Sequence, residues 1–98
     1  MTITKTTEGN TLTVMLEGRL DTVTTPELEK ELMGALDDIQ ELTFDFGKLS
    51  YISSAGLRVL LSSQKIMNTK GIMKVVHVNE NIMDIFEATG FTDILTIE

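Results

Sequence analysis

Hydrophobic positions along the chain change their period several times, and each change marks an element. Thr2 to Thr6 is rich in β-formers, and Glu8-Gly9-Asn10 supplies turn residues. Thr11 to Glu17 then alternates, with Leu12, Val14 and Leu16 on one face, so the opening predicts a β-hairpin covered on one side. Gly18-Arg19-Leu20-Asp21 reads as a loop leaving the second strand.

Helical spacing follows. Thr24-Thr25-Pro26-Glu27 has the form of a helix start, with a Thr N-cap, a proline in the first turn and early carboxylates that suit the helix dipole. Leu28, Leu32, Ala35, Leu36 and Ile39 recur at helical spacing as the buried stripe, with Gly34 inside it. The acidic residues around them lie off the stripe and read as a solvated face rather than a metal site. Glu41 to Phe46 alternates again and predicts a third strand, with Gly47 to Ser54 as a polar loop after it. A second helix runs from Ser54 to about Asn68, with Leu57, Leu60, Leu61, Gln64 and Met67 inward and Gly71 as its C-cap. Ile72 to Val78 is largely apolar, as in a strand covered on both sides. Asn79 or Asn81 caps a short helix that closes at Gly90, and Ile94 to Ile97 predicts a last strand.

The resulting order, ββαβαβαβ, predicts one α/β domain over residues 1–98. Its sheet is mixed but mostly parallel, and right-handed crossovers put the helices mainly on one face. In such sheets sites gather where the C-terminal ends of strands meet the following helices. Two loops qualify, Gly18 to Thr25 and Gly47 to Ser54, provided that the second and third strands run parallel.

Composition narrows the function. Ninety-eight residues suffice for a single core, which four Phe, one Tyr and no Trp make mainly aliphatic. A net charge of −7, with eight Lys and Arg against fifteen carboxylates, argues against binding nucleic acid or an anionic membrane surface. With no cysteine there is no disulfide, thiolate metal site or thiol redox chemistry. No apolar run approaches the ~20 residues of a membrane span and no signal-peptide pattern opens the chain, so a cytoplasmic, soluble, monomeric protein is expected.

Enzyme chemistry finds little support. The only histidine, His77, lies within a β-rich run, and Ile52 stands where a nucleophile elbow around Ser54 would need its first glycine. Phosphate-binding glycine patterns and calcium-loop spacings do not occur, and no cofactor is expected. Attention falls instead on Ser53-Ser54-Ala55-Gly56, where a helix is predicted to open. Serines there commonly cap free N–H groups, a contribution of about 1 kcal/mol, and chemistry alone favours plain capping over regulation for Ser53 and Ser54. The same position accepts a bound anion or a phosphoryl group well, because free amides and the helix dipole converge on it. Small neighbours leave it open to a docking protein, and Gly56 permits close backbone approach.

Asp45-Phe46 and the run Leu49-Ser50-Tyr51-Ile52-Ser53-Ser54-Ala55-Gly56-Leu57-Arg58-Val59-Leu60-Leu61 resemble the signature of STAS domains, and most of all the stand-alone bacterial anti-sigma factor antagonists. The likeness extends from the opening hairpin through Gly18-Arg19-Leu20-Asp21 to Thr89-Gly90-Phe91. It implies a non-enzymatic partner switch. The unmodified antagonist binds an anti-sigma factor that is also a serine kinase and so releases a sigma factor. Phosphorylation of the antagonist ends that complex, and a metal-dependent serine phosphatase reverses it. Carried onto this chain, the acceptor is Ser54, with Ser53 as second choice, and the partner-facing residues are Asp21, Ser53, Ser54, Ala55, Gly56 and Arg58. Many phosphorylated members carry an Asp where this chain has Ser53, which removes a charge that a kinase or phosphatase can read. Two other readings follow from the same residues: a constitutive regulatory subunit on a membrane transporter ATPase, and a small-molecule or nucleotide-binding module using the helix N-terminus.

Overall fold

The computed structural model describes all residues, Met1–Glu98. Two strands, β1 (Thr2–Glu8) and β2 (Thr11–Leu20), form an antiparallel hairpin in which Glu8 pairs with Thr11 across Gly9-Asn10. Gly9 has φ +61°, the positive value that a two-residue turn with glycine in first place requires. After helix α1 (Thr25–Leu32) come β3 (Glu41–Ile52), α2 (Ser54–Asn68), β4 (Ile72–Val76) and α3 (Glu80–Thr89). The sheet order is β1-β2-β3-β4, and β3 runs parallel to both neighbours.

Alternation decides which face is buried. Leu12, Val14 and Leu16 of β2, Leu42, Phe44 and Phe46 of β3, and Met73 and Val75 of β4 join Leu28, Leu60, Met67, Ile82 and Phe86 of the three helices in one cluster. The helices therefore cover a single face, as the crossover rule predicts. Thr13, Met15, Asp45, Ile72 and Lys74 alternate with the core residues and lie on the other face. Within the core Phe44, Phe46, Phe86 and Phe91 form a chain of rings with centroids 6.1, 6.5 and 6.4 Å apart, which fastens α3 and the segment after it to β3.

Several boundaries differ from the sequence-based expectation. Gly18 to Leu20 stays in β2 and Gly47 to Ile52 stays in β3, because these residues pair with each other after two irregularities of register. The bulges break the period of two: Phe46, Leu49 and Ile52 are all buried at spacings of three, so an intact strand reads as a loop. α1 stops at Leu32, because Met33 is extended (ψ 117°) and Gly34 follows at φ +77°, and Leu36 and Ile39 reach the core from the connection to β3 rather than from a continued helix. α2 turns Val59 and Ser63 inward, where Leu61 is only half-buried. β4 ends at Val76 and is covered on one side only, with Ile72 59% exposed. The strand expected over Ile94 to Ile97 is reduced to one parallel bridge, Val75 to Ile97, and a 3-10 turn (Phe91–Asp93) precedes it.

Gly71 does not cap α2, whose C-cap is Thr69. A Cβ on Gly71 would lie 1.9 Å from the carbonyl oxygen of Gln40, which accepts from the Ile72 amide at 3.0 Å. Glycine is required by this approach of two backbones.

His77 directly follows β4 in the left-handed region, φ 59°, and its Nδ1 lies 2.9 Å from Asp45 Oδ1, which also accepts from the Gly47 amide at 2.9 Å. Burial pushes the Asp45 carboxyl up, but the Gly47 and His77 hydrogen bonds and the nearby positive charge outweigh it and hold it below the usual carboxylate value.

Two predictions follow from these contacts. Gly71→Ala should destabilise the fold by roughly 1–3 kcal/mol in urea unfolding, because backbone must move to admit one methyl group. Asp45, with its folded-state pKa depressed, contributes stability above its unfolded value of about 3.9 and loses it as pH falls through the lower folded value. The stability gap between wild type and Asp45→Asn should accordingly be present at pH 7 and shrink towards pH 3, read from urea midpoints at each pH.

Candidate functional site

The two central strands end in register. Leu20 pairs with Ile52, and the Ser53 amide donates to the Leu20 carbonyl at 2.8 Å. Asp21 and Ser53 are thus the next residues out of two adjacent parallel strands, and the segments leading into α1 and α2 meet at one edge of the sheet. The connections are much shorter than the sequence suggests: residues 21–24 on one side and Ser53 alone on the other.

Asp21 organises the first connection. Its Oδ1 accepts from the Val23 amide at 3.0 Å, the Thr24 amide at 3.1 Å and the Thr24 hydroxyl at 3.2 Å. Its own amide donates to Thr24 Oγ1 at 2.9 Å, and its carbonyl accepts from the Thr25 amide at 2.9 Å. The Thr24 backbone hydrogen bond is the main reason that the Asp21 carboxyl is held below the usual carboxylate range; bonds from Val23 and the Thr24 hydroxyl and the charge of Arg19 add to it, against burial. The expected Thr N-cap is Thr24, but it makes no side-chain cap bond, because its hydroxyl is committed to this turn and to the Arg19 carbonyl at 2.7 Å. Arg19 lies 3.8 Å from Asp21 Oδ2, with its guanidinium 4.3 Å from the Tyr51 ring centroid.

The two serines divide their roles. Ser53 is the N-cap of α2: its backbone is extended, its Oγ accepts from the Gly56 amide at 3.4 Å, and its carbonyl accepts from the Leu57 amide at 3.0 Å. Ser54 is the first helical residue and is exposed, and its hydroxyl enters no hydrogen bond. The amides of Ser54 and Ala55 likewise donate to no protein group. An exposed hydroxyl therefore stands beside two unpaired N–H donors at the positive end of a fifteen-residue helix.

Ala55 is half-buried and Arg58 exposed on the same stretch of α2. Gly56, expected among the partner-facing residues, is buried beneath that surface. A Cβ there would lie 2.8 Å from Ile52 Cγ1 and 2.9 Å from Leu20 Cγ and Cδ2, so the missing side chain lets the first turn of α2 sit on the ends of β2 and β3. Arg19 and Thr24 fall within the Gly18 to Thr25 segment expected at this edge, but sequence reading assigned neither a role in the site, and the alternation resuming at Leu20 was a signal that β2 continues.

No cluster of three or more His, Asp or Glu is arranged to hold a metal ion. His77 bonds Asp45 and does not reach either serine by a hydrogen bond. No helix is long and apolar enough to cross a membrane.

Comparison with known proteins agrees with this geometry. The STAS domain model matches residues 2–98. BtrV, a candidate anti-sigma factor antagonist of Bordetella bronchiseptica, is 32% identical over 88 residues, covering 88% of this chain and 76% of its own. Among solved structures, an anti-sigma factor antagonist from Mycobacterium paratuberculosis superposes with a TM-score of 0.89 at 21% identity, over 98% of this chain and 83% of that one. The Bacillus cell fate determinant SpoIIAA in its phosphorylated form superposes at 0.78 with 15% identity, over 99% and 91%. With nearly every residue matched by one family model and the fold shared, the chain belongs to the STAS domain family.

Proposed function

We propose that the protein is an anti-sigma factor antagonist whose binding surface is the edge formed by Asp21, Ser53, Ser54, Ala55 and Arg58, and that phosphorylation of Ser54 switches it off. One observation carries the choice of residue: the Ser53 side chain is occupied in capping α2, whereas the Ser54 hydroxyl is exposed and unbonded. The names of the relatives support the class of partner, an anti-sigma factor, and the resemblance of the signature supports one with serine-kinase activity, opposed by a metal-dependent serine phosphatase.

The physics of the switch is differential. A phosphate adds about −1.5 to −2 charge. In the free protein it meets the unpaired amides of Ser54 and Ala55 and the dipole of α2, which stabilise it. In a close-packed complex the same charge is desolvated next to Asp21 and weakens docking. Modification favours the free state to the extent of that difference.

Binding of the source organism's kinase-type anti-sigma factor to purified variants tests this. Wild type and Ser54→Ala should bind within about threefold of each other, and Ser54→Asp at least tenfold more weakly, a difference of about 1.4 kcal/mol. Equal binding by all three would remove Ser54 as the switch, and capture of a transporter ATPase by all three would favour a constitutive subunit. Urea unfolding separates the two serines independently. Ser53→Ala should cost about 0.5–1 kcal/mol through the lost cap, and Ser54→Ala should stay within about 0.5 kcal/mol of wild type.

A further inference from the structure

A cavity of about 450 Å³ lies between α1 and α2, within the size range of small-molecule sites. The two helices follow two parallel strands and so run in the same direction, and the cavity lining is graded along them. At the end where both helices begin are Thr25 and Arg58. Towards the other end the lining is Leu32, Leu36 and Ile66.

Both polar groups have unmet demands. Thr25 is 3% exposed, and its buried Oγ1 has no hydrogen-bond partner, a state that native structures seldom leave uncompensated. Arg58 is exposed and forms neither an ion pair nor a hydrogen bond, in a chain with fifteen carboxylates. Glu29 lines the cavity from α1, so the charge of an anion has to be held by Arg58 on α2, with Thr25 supplying a neutral hydrogen bond. From Arg58 to Ile66 the axial distance is about 12 Å at the α-helical rise, which leaves room for an extended chain of roughly eight to ten carbons.

We propose that this cavity binds a straight-chain aliphatic carboxylate of medium length, its headgroup at Arg58 and Thr25 and its tail along Leu32, Leu36 and Ile66. The cavity shares Ala55 and Arg58 with the proposed partner-binding edge but does not use the Ser54 hydroxyl and does not depend on its modification. An apolar slot with one convergent cation and one unpaired hydroxyl is the arrangement that orients an amphipathic anion.

Titration of the isotopically labelled protein with sodium octanoate, followed by amide NMR shifts, tests the proposal, with octan-1-ol and octylammonium as comparators. Octanoate should give saturable shifts centred on Thr25, Leu32, Val59 and Ile66 with Kd below about 1 mM. Arg58→Gln should weaken octanoate by about threefold or more and leave octan-1-ol unchanged. Ser62→Phe, which puts a ring at the exposed mouth, should abolish the shifts. Absence of saturation by ~10 mM would overturn the site. Equal affinity for all three probes, unaffected by Arg58→Gln, would overturn the carboxylate assignment. Shifts of the same amides on dilution of the free protein would make the cavity an interface between two copies, and the proposal would fall.

Discussion

The pairing of Leu20 with Ile52, at the far end of two parallel strands, is the constraint on which the rest of the structure depends. It brings the exits of β2 and β3 side by side and leaves no length of loop for either to drift. Asp21 closes its turn with its own carboxylate, and Ser53 closes the start of α2 with its hydroxyl. Gly56 then sets α2 down on Leu20 and Ile52 themselves, at a distance that any side chain would forbid without movement. A surface built in this way is fixed by backbone pairing rather than by flexible loops, which suits recognition that must respond to a single added group.

The same constraint explains why two neighbouring serines differ. A helix needs one cap, and extended backbone at Ser53 allows its side chain to reach the Gly56 amide. Ser54 is already helical, so its hydroxyl is directed away from that duty and remains exposed. A serine or an acid at position 53 can accept the same amide hydrogen bond, and Ser53 does so without placing a charge next to Ser54.

Much of the fold was legible in the sequence, because the period of two in β2 and the helical spacing in α2 both come from burial against one face. The topology, the single covered face and the start of α2 at Ser54 all follow from that pattern. Errors arose where a local irregularity interrupts the period. The bulged stretch from Phe46 through Leu49 to Ile52 hid half of β3, and left-handed Gly34 cut short a stripe that α1 had begun. Gly71 illustrates another limit, since its closeness to Gln40 is a contact between distant segments that no local pattern contains. At the candidate site, resemblance and capping chemistry pointed to Ser54 and Asp21, and the structure brings their segments to one edge of the sheet. The burial of Gly56, the part played by Thr24 and the unpaired state of Thr25 and Arg58 are consequences of packing.

The most direct measurement of the central claim is site-resolved mass spectrometry of the protein recovered from its own cells across growth and stress. The account predicts a phosphoryl group on Ser54, varying in occupancy with conditions, and none on Ser53. Phosphate on Ser53 with Ser54 unmodified would contradict it, as would a protein unmodified under every condition in which its partner is released.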